Sequence, residues 1–356
     1  MAWLGTWAKR IKLTADNTKI DSDLSHFPLT VFLKAANGDT EKVFDEITTN
    51  NLKIAVTKTD GTTQLYVEIE KWDNPNQIGI LHCGITGDTL ASASDTDYYL
   101  YYDSAQDNNT TYVGVTDSVV AESVWDSNFK LVHHLVDATT STVKDSTSND
   151  DDGIKVAENR PIETTSGKIA NAQDFEAGTA DYITLTNTLT NTNTFTISAW
   201  IKTESGSIYQ NILTNWNQTG DKGFMFMIWG ADDKLAFASA GTWKYGNTAI
   251  NTNWHHVAVS IDASNNVQFY LDGATDSSSQ ASNACNAGNT TSYFGKQGTG
   301  SNYFDGIIDE GRFSSAVRPV AWIKGEFNSG NDTLLAYGSE ELLPTITGAA
   351  FLLQMI

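Results

Sequence analysis

Two groups of acidic residues have the types and spacing for carboxylate chemistry. Glu68 and Glu70 sit two apart in Gln64-Leu-Tyr-Val-Glu-Ile-Glu-Lys-Trp72, and Asp305, Asp309 and Glu310 fall close together further along. Closely spaced carboxylates can flank a glycosidic bond as acid and nucleophile. The histidine pairs His133-His134 and His255-His256 invite a base or a metal. Neighbours on a strand point to opposite faces, so neither pair can chelate one ion, and structural roles are expected. No nucleophile motif accompanies them, and Gly295-Lys-Gln-Gly-Thr-Gly300 lacks the spacing of a phosphate loop. Cys83 and Cys285 fall in different halves and are too few for a disulfide framework or a zinc site. Both are expected to be small buried hydrophobes.

The chain that must position these groups has 356 residues, a formal charge of -21 and 40% hydrophobic residues. That length suits two domains, and that apolar content can fill a core. So acidic a surface repels nucleic-acid phosphate and anionic membranes, and Arg10, Arg160, Arg312 and Arg318 are the only arginines. No segment approaches the length of a membrane span. Met1-Ala-Trp-Leu-Gly-Thr-Trp7 contains no apolar leader, which predicts synthesis in the cytoplasm without a standard export signal unless a leader has been replaced there.

Short apolar runs separated by Asn, Asp, Gly and Ser turns predict strands throughout. In the first half they fall at 7–13, 27–34, 52–56, 64–72, 77–85 and 96–103. Leu65, Val67 and Ile69 alternate with Tyr66, Glu68 and Glu70, the period of a half-buried strand, and Thr59-Asp60-Gly61-Thr62 before it is a hairpin turn signal. Residues 104–123 are polar and turn-rich and mark a boundary. Beyond it, strands recur at the short spacing of a sandwich or jelly roll.

The second half resembles the laminin-G-like branch of the concanavalin A-like lectin/glucanase superfamily. The resemblance is carried by Gln173-Asp-Phe-Glu-Ala-Gly-Thr-Ala-Asp-Tyr-Ile-Thr-Leu185, Phe195-Thr-Ile-Ser-Ala-Trp-Ile201, Asn253-Trp-His-His-Val-Ala-Val-Ser-Ile261, Phe269-Tyr-Leu-Asp-Gly273 and Phe304-Asp-Gly-Ile-Ile-Asp-Glu310. Leu131-Val-His-His-Leu-Val136 and Lys144-Asp-Ser-Thr-Ser-Asn149 extend it upstream. Where the family usually continues with valine-arginine-isoleucine-tyrosine, this chain has Gly311-Arg312-Phe313. The first half resembles a β domain of unknown function that often precedes laminin-G-like domains in bacterial, archaeal and phage surface proteins. Its carriers are Trp7-Ala-Lys-Arg-Ile-Lys-Leu-Thr14, Asp23-Leu-Ser-His-Phe-Pro-Leu29, Val67-Glu-Ile-Glu-Lys-Trp72 and Tyr98-Tyr-Leu-Tyr-Tyr102. The expected fold is all-β with two β-sandwich (jelly-roll) domains: residues 1–118, a concanavalin A/laminin-G-like domain at 119–332, and a docking tail at 333–356.

The resemblance implies binding rather than catalysis, because Asp305, Asp309 and Glu310 then belong to a structural strand and turn, and Glu68 and Glu70 lie in the other domain. It also implies a structural Ca²⁺, with Asp309 and Asp181 as ligands and Asp145 or Asn149 as alternates. Sugar binding is the function the fold suggests. Trp216, Trp229, Trp243 and Tyr245 fall in or beside turns rich in Asn, Asp and Gly, where rings stack on sugar faces while amides and carboxylates bond hydroxyls. In Gly223-Phe-Met-Phe-Met-Ile-Trp229 both faces are apolar, which predicts a second cover: the first domain, another subunit or a ligand, with a packed interface ahead of a bare sugar platform. The apolar end of Glu341–Ile356 is expected to dock on its own domain or on a partner. Together these imply a virion structural protein, a phage capsid decoration or tail/fibre component made in the cytoplasm and displayed on the virion surface. Its partners would be other virion proteins, host-surface glycans and further copies of itself. A secreted or cell-surface carbohydrate-binding adhesin is the second reading, and a glycoside hydrolase the third.

Overall fold

A computed structural model describes residues 2–186, 189, 194–217, 222–285 and 291–344. The apolar end of the expected tail, 345–356, lies outside the described residues. No helix among the described residues is long and apolar enough to cross a membrane.

The first half is one curled antiparallel sheet. Its strands run Leu335–Leu342, Lys9–Ala15, Thr96–Tyr102, Ile54–Thr57, Gln64–Asp73, Ile78–Gly84 and Leu29–Leu33 in spatial order, with Val113–Val115 added in parallel to Gln64–Asp73. Curling lets the sheet pack on itself: Ile11, Leu13, Val31, Val56, Leu65, Val67, Leu81 and Leu100 share one core. The tyrosine run shows how alternation is used on both faces. Tyr98, Leu100 and Tyr102 enter that core. Tyr99 and Tyr101 point the other way into a cluster with Trp7 and Ala55, capped by Trp3 and Leu4. There the Arg10 guanidinium lies 4.2 Å from the Trp3 ring and 3.9 Å from Tyr99, a stacked cation shielded from water.

The edge strand Leu335–Leu342 comes from the far end of the chain and pairs with Lys9–Ala15, Ala15 opposite Leu335 and Lys9 opposite Leu342. Its residues were expected in a tail beginning at 333. They are instead an integral strand of the first half, because Leu334 and Leu335 are buried in its core.

The second half is a two-sheet sandwich. One sheet runs Ile162–Thr164, Ala172–Phe175, Gly306–Ser314, Phe195–Thr203, His255–Ile261 and Asn266–Leu271; Phe129–His133 also pairs with Gly306–Ser314. The facing sheet runs Gly153–Lys155, Ile183–Leu185, Ser292–Phe294, Gln210–Thr214, Phe224–Trp229, Lys234–Ser239 and Thr242–Ala249. Phenylalanines fill the space between, with Phe195 5.2 Å from Phe224 and 5.1 Å from Phe313. Gly311 fits this packing: a β-carbon there would stand 2.6 Å from the Phe294 ring. The sandwich begins later than residue 119, since the short helix Val119–Glu122 packs on Gln64–Asp73 and Val113–Val115 and the first sandwich strand starts at Phe129.

The two halves share a buried seam. Trp200 and Ile169 of the sandwich pack with Phe32 and Ile80 of the first half, and the helix Val320–Gly330 lies between, with Trp322 against Phe27 at 5.0 Å and Phe327 stacked on Trp200 at 5.6 Å. The expected wet face of Gln64–Asp73 is therefore dry. Glu68 is buried, taking the Trp125 indole N–H at 2.7 Å and the Ser146 hydroxyl at 2.6 Å. Glu70 meets His82 Nε2 at 2.7 Å with both side chains fully buried. Across the seam, His134 Nδ1 lies 2.7 Å from Glu310, which is 2.6 Å from Arg312. Burial pushes the Glu70 carboxyl up and the His82 imidazole down, each towards its neutral form.

Candidate functional site

The outer face of the second sheet carries a trough. In an antiparallel pair, opposite residues share a face. Phe224, Phe226 and Ile228 enter the sandwich core, so Met225 and Met227 point outward. Met225 stands opposite Ala238, itself opposite Trp243; Met227 stands opposite Ala236, itself opposite Tyr245. The two alanines leave room above the sheet, and the rings gather there. Trp229 lies 4.8 Å from Trp243, 5.3 Å from Tyr245 and 4.7 Å from Tyr209.

The resulting trough has a volume of about 260 Å³, with Met225 and Met227 as floor, Tyr209, Trp229 and Trp243 as wall, and Gln297 and Asn302 on the rim. The rim amides are mutually oriented: Asn302 Nδ2 donates to Gln297 Oε1 at 2.9 Å, which also accepts from the Ser301 hydroxyl at 3.0 Å. This leaves the side-chain Nε2 of Gln297 and the side-chain Oδ1 of Asn302 without a bonded partner among the described residues, available to ligand hydroxyls. Tyr209 and Tyr245 remain 41% and 36% exposed. Burial, then the neighbouring Tyr209 and Asp232, raises the Tyr245 phenol, so it stays a neutral donor. Gln280 Nε2 donates to the Tyr245 carbonyl at 2.7 Å and holds this edge.

Of the four expected aromatics, Trp229, Trp243 and Tyr245 come together on this face. Trp216 is buried behind them against Met225, Ala238 and Trp243. The second cover of the Phe224–Trp229 strand is thus this chain's own Trp216 and Trp243, and the first half packs on the opposite sheet. Tyr209, Gln297 and Asn302 escaped sequence reasoning. The one local signal was a tyrosine next to a Ser/Gly turn, Glu204-Ser-Gly-Ser-Ile-Tyr209.

The expected calcium ligands do not converge. Among the described residues, the one group of three or more acidic, His or Cys side chains with mutually close ligand atoms is Glu70, His82, His134 and Glu310. Asp309 is fully buried and accepts the Lys168 and Ile169 amides at 2.7 and 3.0 Å; burial and then the Glu310 charge push it up. Asp181 takes the Glu176 amide at 3.0 Å and the Thr179 hydroxyl at 2.8 Å. Asp145 takes the amides of Val132, Thr147 and Asp151, and burial still pushes it up to about 6. Asn149 donates to the Phe129 carbonyl. Each carboxylate organises a different stretch of backbone, which is why they stand apart.

The carboxylates considered for hydrolysis are equally occupied. Asp305 receives the Ala177 amide and the Ser205 hydroxyl, and Asp309 and Glu310 lie in the seam beside Glu70. The separation of Glu68 and Glu70 from that group, expected from their different domains, does not hold: folding brings both against His134 and the Glu310 side. The histidine pairs split as strand geometry requires. His133 Nε2 meets the Asp151 carbonyl at 2.9 Å, whereas His134 turns to the seam.

A family profile described as the concanavalin A-like lectin/glucanases superfamily, of laminin-G type, matches residues 177–324. Residues 177–324 are a concanavalin A-like domain. The match takes in the whole trough, so the aromatic face belongs to a lectin-like β-sandwich. Similar solved structures include domain 4 of AbnA, a GH43 extracellular arabinanase from Geobacillus stearothermophilus, in complex with arabinotriose. It is 22% identical with a TM-score of 0.46, covering 58% of this chain and all of that one. The botulinum neurotoxin type G receptor binding domain is 12% identical with a TM-score of 0.43, covering 57% of this chain and 51% of that one. The binding domain of Paraclostridial Mosquitocidal Protein 1 is 14% identical at a TM-score of 0.43, covering 57% of this chain and 52% of that one. The chain spans about half the length of these toxin domains, and the fold assignment rests on the family match. No curated protein matches the chain.

Proposed function

We propose that the chain is a non-enzymatic binding protein that takes a neutral oligosaccharide in the trough of Tyr209, Trp229 and Trp243. The observation that carries this reading is the convergence of three rings around an apolar floor, with an oriented amide pair at the rim. Sugar rings present apolar C–H faces to aromatic planes and hydroxyls to amides, and this trough offers both. A shallow trough lined by thioethers and rings holds no acid or base to cleave a glycosidic bond.

The setting we propose is a surface attachment role, with a virion capsid or tail component first and a secreted or cell-surface adhesin second. Supporting it, the trough lies on the sheet facing away from the first half, and the first and last described strands are neighbours in that first half. Attachment through the first half leaves the trough free. Co-purification with particles, against recovery from culture medium, separates the two settings.

A glycan array followed by calorimetry tests the site. Trp229→Ala and Trp243→Ala should each weaken the best neutral oligosaccharide by at least about tenfold, roughly 1.4 kcal/mol, and Trp229→Phe should recover part of it. Unchanged affinity in both alanine variants would overturn the trough assignment.

A further inference from the structure

We propose that Glu70, His82, His134 and Glu310 bind one divalent transition-metal ion, Zn²⁺ foremost, that staples the two halves of the chain together. Glu70 and His82 come from adjacent strands of the first half, His134 and Glu310 from adjacent segments of the sandwich, so an ion here closes a cross-link that no single half can form. One ligand atom from each of the four lies within 4.8 Å of all the others. Tetrahedral zinc bonds of about 2.0–2.2 Å place ligand atoms roughly 3.3–3.6 Å apart. His134 Nδ1 is 3.7 Å from Glu70 Oε2, and the His82–Glu70 and His134–Glu310 contacts at 2.7 Å need only open slightly.

Three further observations point to an ion. First, Glu70 Oε1 is fully buried and has no hydrogen-bond partner, an arrangement that costs free energy unless something positive faces it. Second, each imidazole has a polar neighbour beside its other nitrogen, the position from which metal-bound histidines are oriented. His82 Nδ1 lies 3.4 Å from Thr30 Oγ1, and His134 Nε2 faces Glu68 Oε1 at 3.3 Å, with Glu68 itself anchored by Trp125 and Ser146. Third, carboxyl groups crowd the seam: those of Glu68, Glu70, Asp309, Glu310 and Glu326 are buried around the Arg312 guanidinium and the His134 imidazole.

The donor set selects the metal. Two imidazoles with two carboxylates favour zinc and its first-row neighbours over calcium, whose sites are built from oxygen alone. Cys83, next along the strand from His82, points to the opposite face and packs in the core, so no thiolate joins. Four protein ligands and full burial leave no open position, which makes the site structural, and the ion must be captured as the halves close.

The full chain, refolded from denaturant with Zn²⁺, with Ca²⁺ or with a chelator and then gel-filtered, tests this by metal content and thermal melting. We expect one zinc per chain, a Tm several degrees above the chelator arm, and no retained calcium. Glu70→Gln and His134→Gln, where they fold, should bind zinc at least about tenfold more weakly. Where they do not fold, the wild-type arms decide alone. Wild type that retains no stoichiometric zinc, or melts identically in the zinc and chelator arms, would overturn the proposal. Zinc retained undiminished by both folded variants would overturn it as well.

Discussion

The chain enters the sandwich near residue 126 and leaves it near 318, and one side-chain pair ties the two passages. Arg318 donates to both oxygens of Asp126, Nη1 to Oδ2 and Nη2 to Oδ1, each at 2.8 Å, while Nε donates to Ser314 Oγ at 3.0 Å. Its guanidinium lies 4.0 Å from the Trp322 ring and 4.5 Å from Phe129. Burial pushes the Asp126 carboxyl up, yet the Arg318 hydrogen bonds and charge outweigh it and hold Asp126 below its ordinary range. Replacing Arg318 by lysine keeps the charge and one bond but removes the second bond of the fork and the planar stack. A charge-assisted hydrogen bond is worth about 1.5–3 kcal/mol and a desolvated stack about 0.5–2. Arg318→Lys should therefore cost roughly 2–5 kcal/mol. Arg318→Met, which strands a partly buried carboxylate, should cost about 3–5 kcal/mol. Urea unfolding followed by tryptophan fluorescence measures both as midpoint shifts. Adding Asp126→Asn to Arg318→Met should return at least about 1 kcal/mol, because the stranded charge is gone. An Arg318→Lys variant within about 1 kcal/mol of wild type would refute the argument that fork geometry, rather than charge alone, holds the passages together.

Two further outcomes follow from local geometry. Gly311→Ala pushes a β-carbon to 2.6 Å from the Phe294 ring inside the sandwich; overpacking of this kind should cost about 1–3 kcal/mol, and an unchanged urea midpoint would show that the ring can yield. Glu46 is lowered to about 2, first by its hydrogen bond to Lys9 at 2.6 Å and then by Ser104. A depressed carboxyl contributes stability above its unfolded value near 4.5 that disappears as pH falls through about 2. The stability gap between wild type and Glu46→Gln should thus be present at pH 6 and close towards pH 2, and a pH-independent gap would refute the pairing.

Local alternation made the strands and both cores legible. Leu65, Val67 and Ile69 occupy the core as their spacing required, and the motifs around Phe195–Ile201 and Asn253–Ile261 located the sandwich. The tryptophans of the trough were legible too, because rings in Asn- and Gly-rich turns must sit near a surface. What the sequence could not carry was which faces meet. Glu68 and Glu70 alternate like a solvated edge, yet another part of the chain covers them. The strand Leu335–Leu342 pairs with residues more than three hundred positions earlier. Period and turn chemistry are written between near neighbours, so composition and spacing determined the all-β class, the strands and the aromatic candidates. The seam of Glu70, His82, His134 and Glu310, and the joining of Tyr209 to Trp229, depend on sheet register and on how two curled layers stack. Those are set by the shape of whole faces burying apolar area together, and only the tertiary structure decided them.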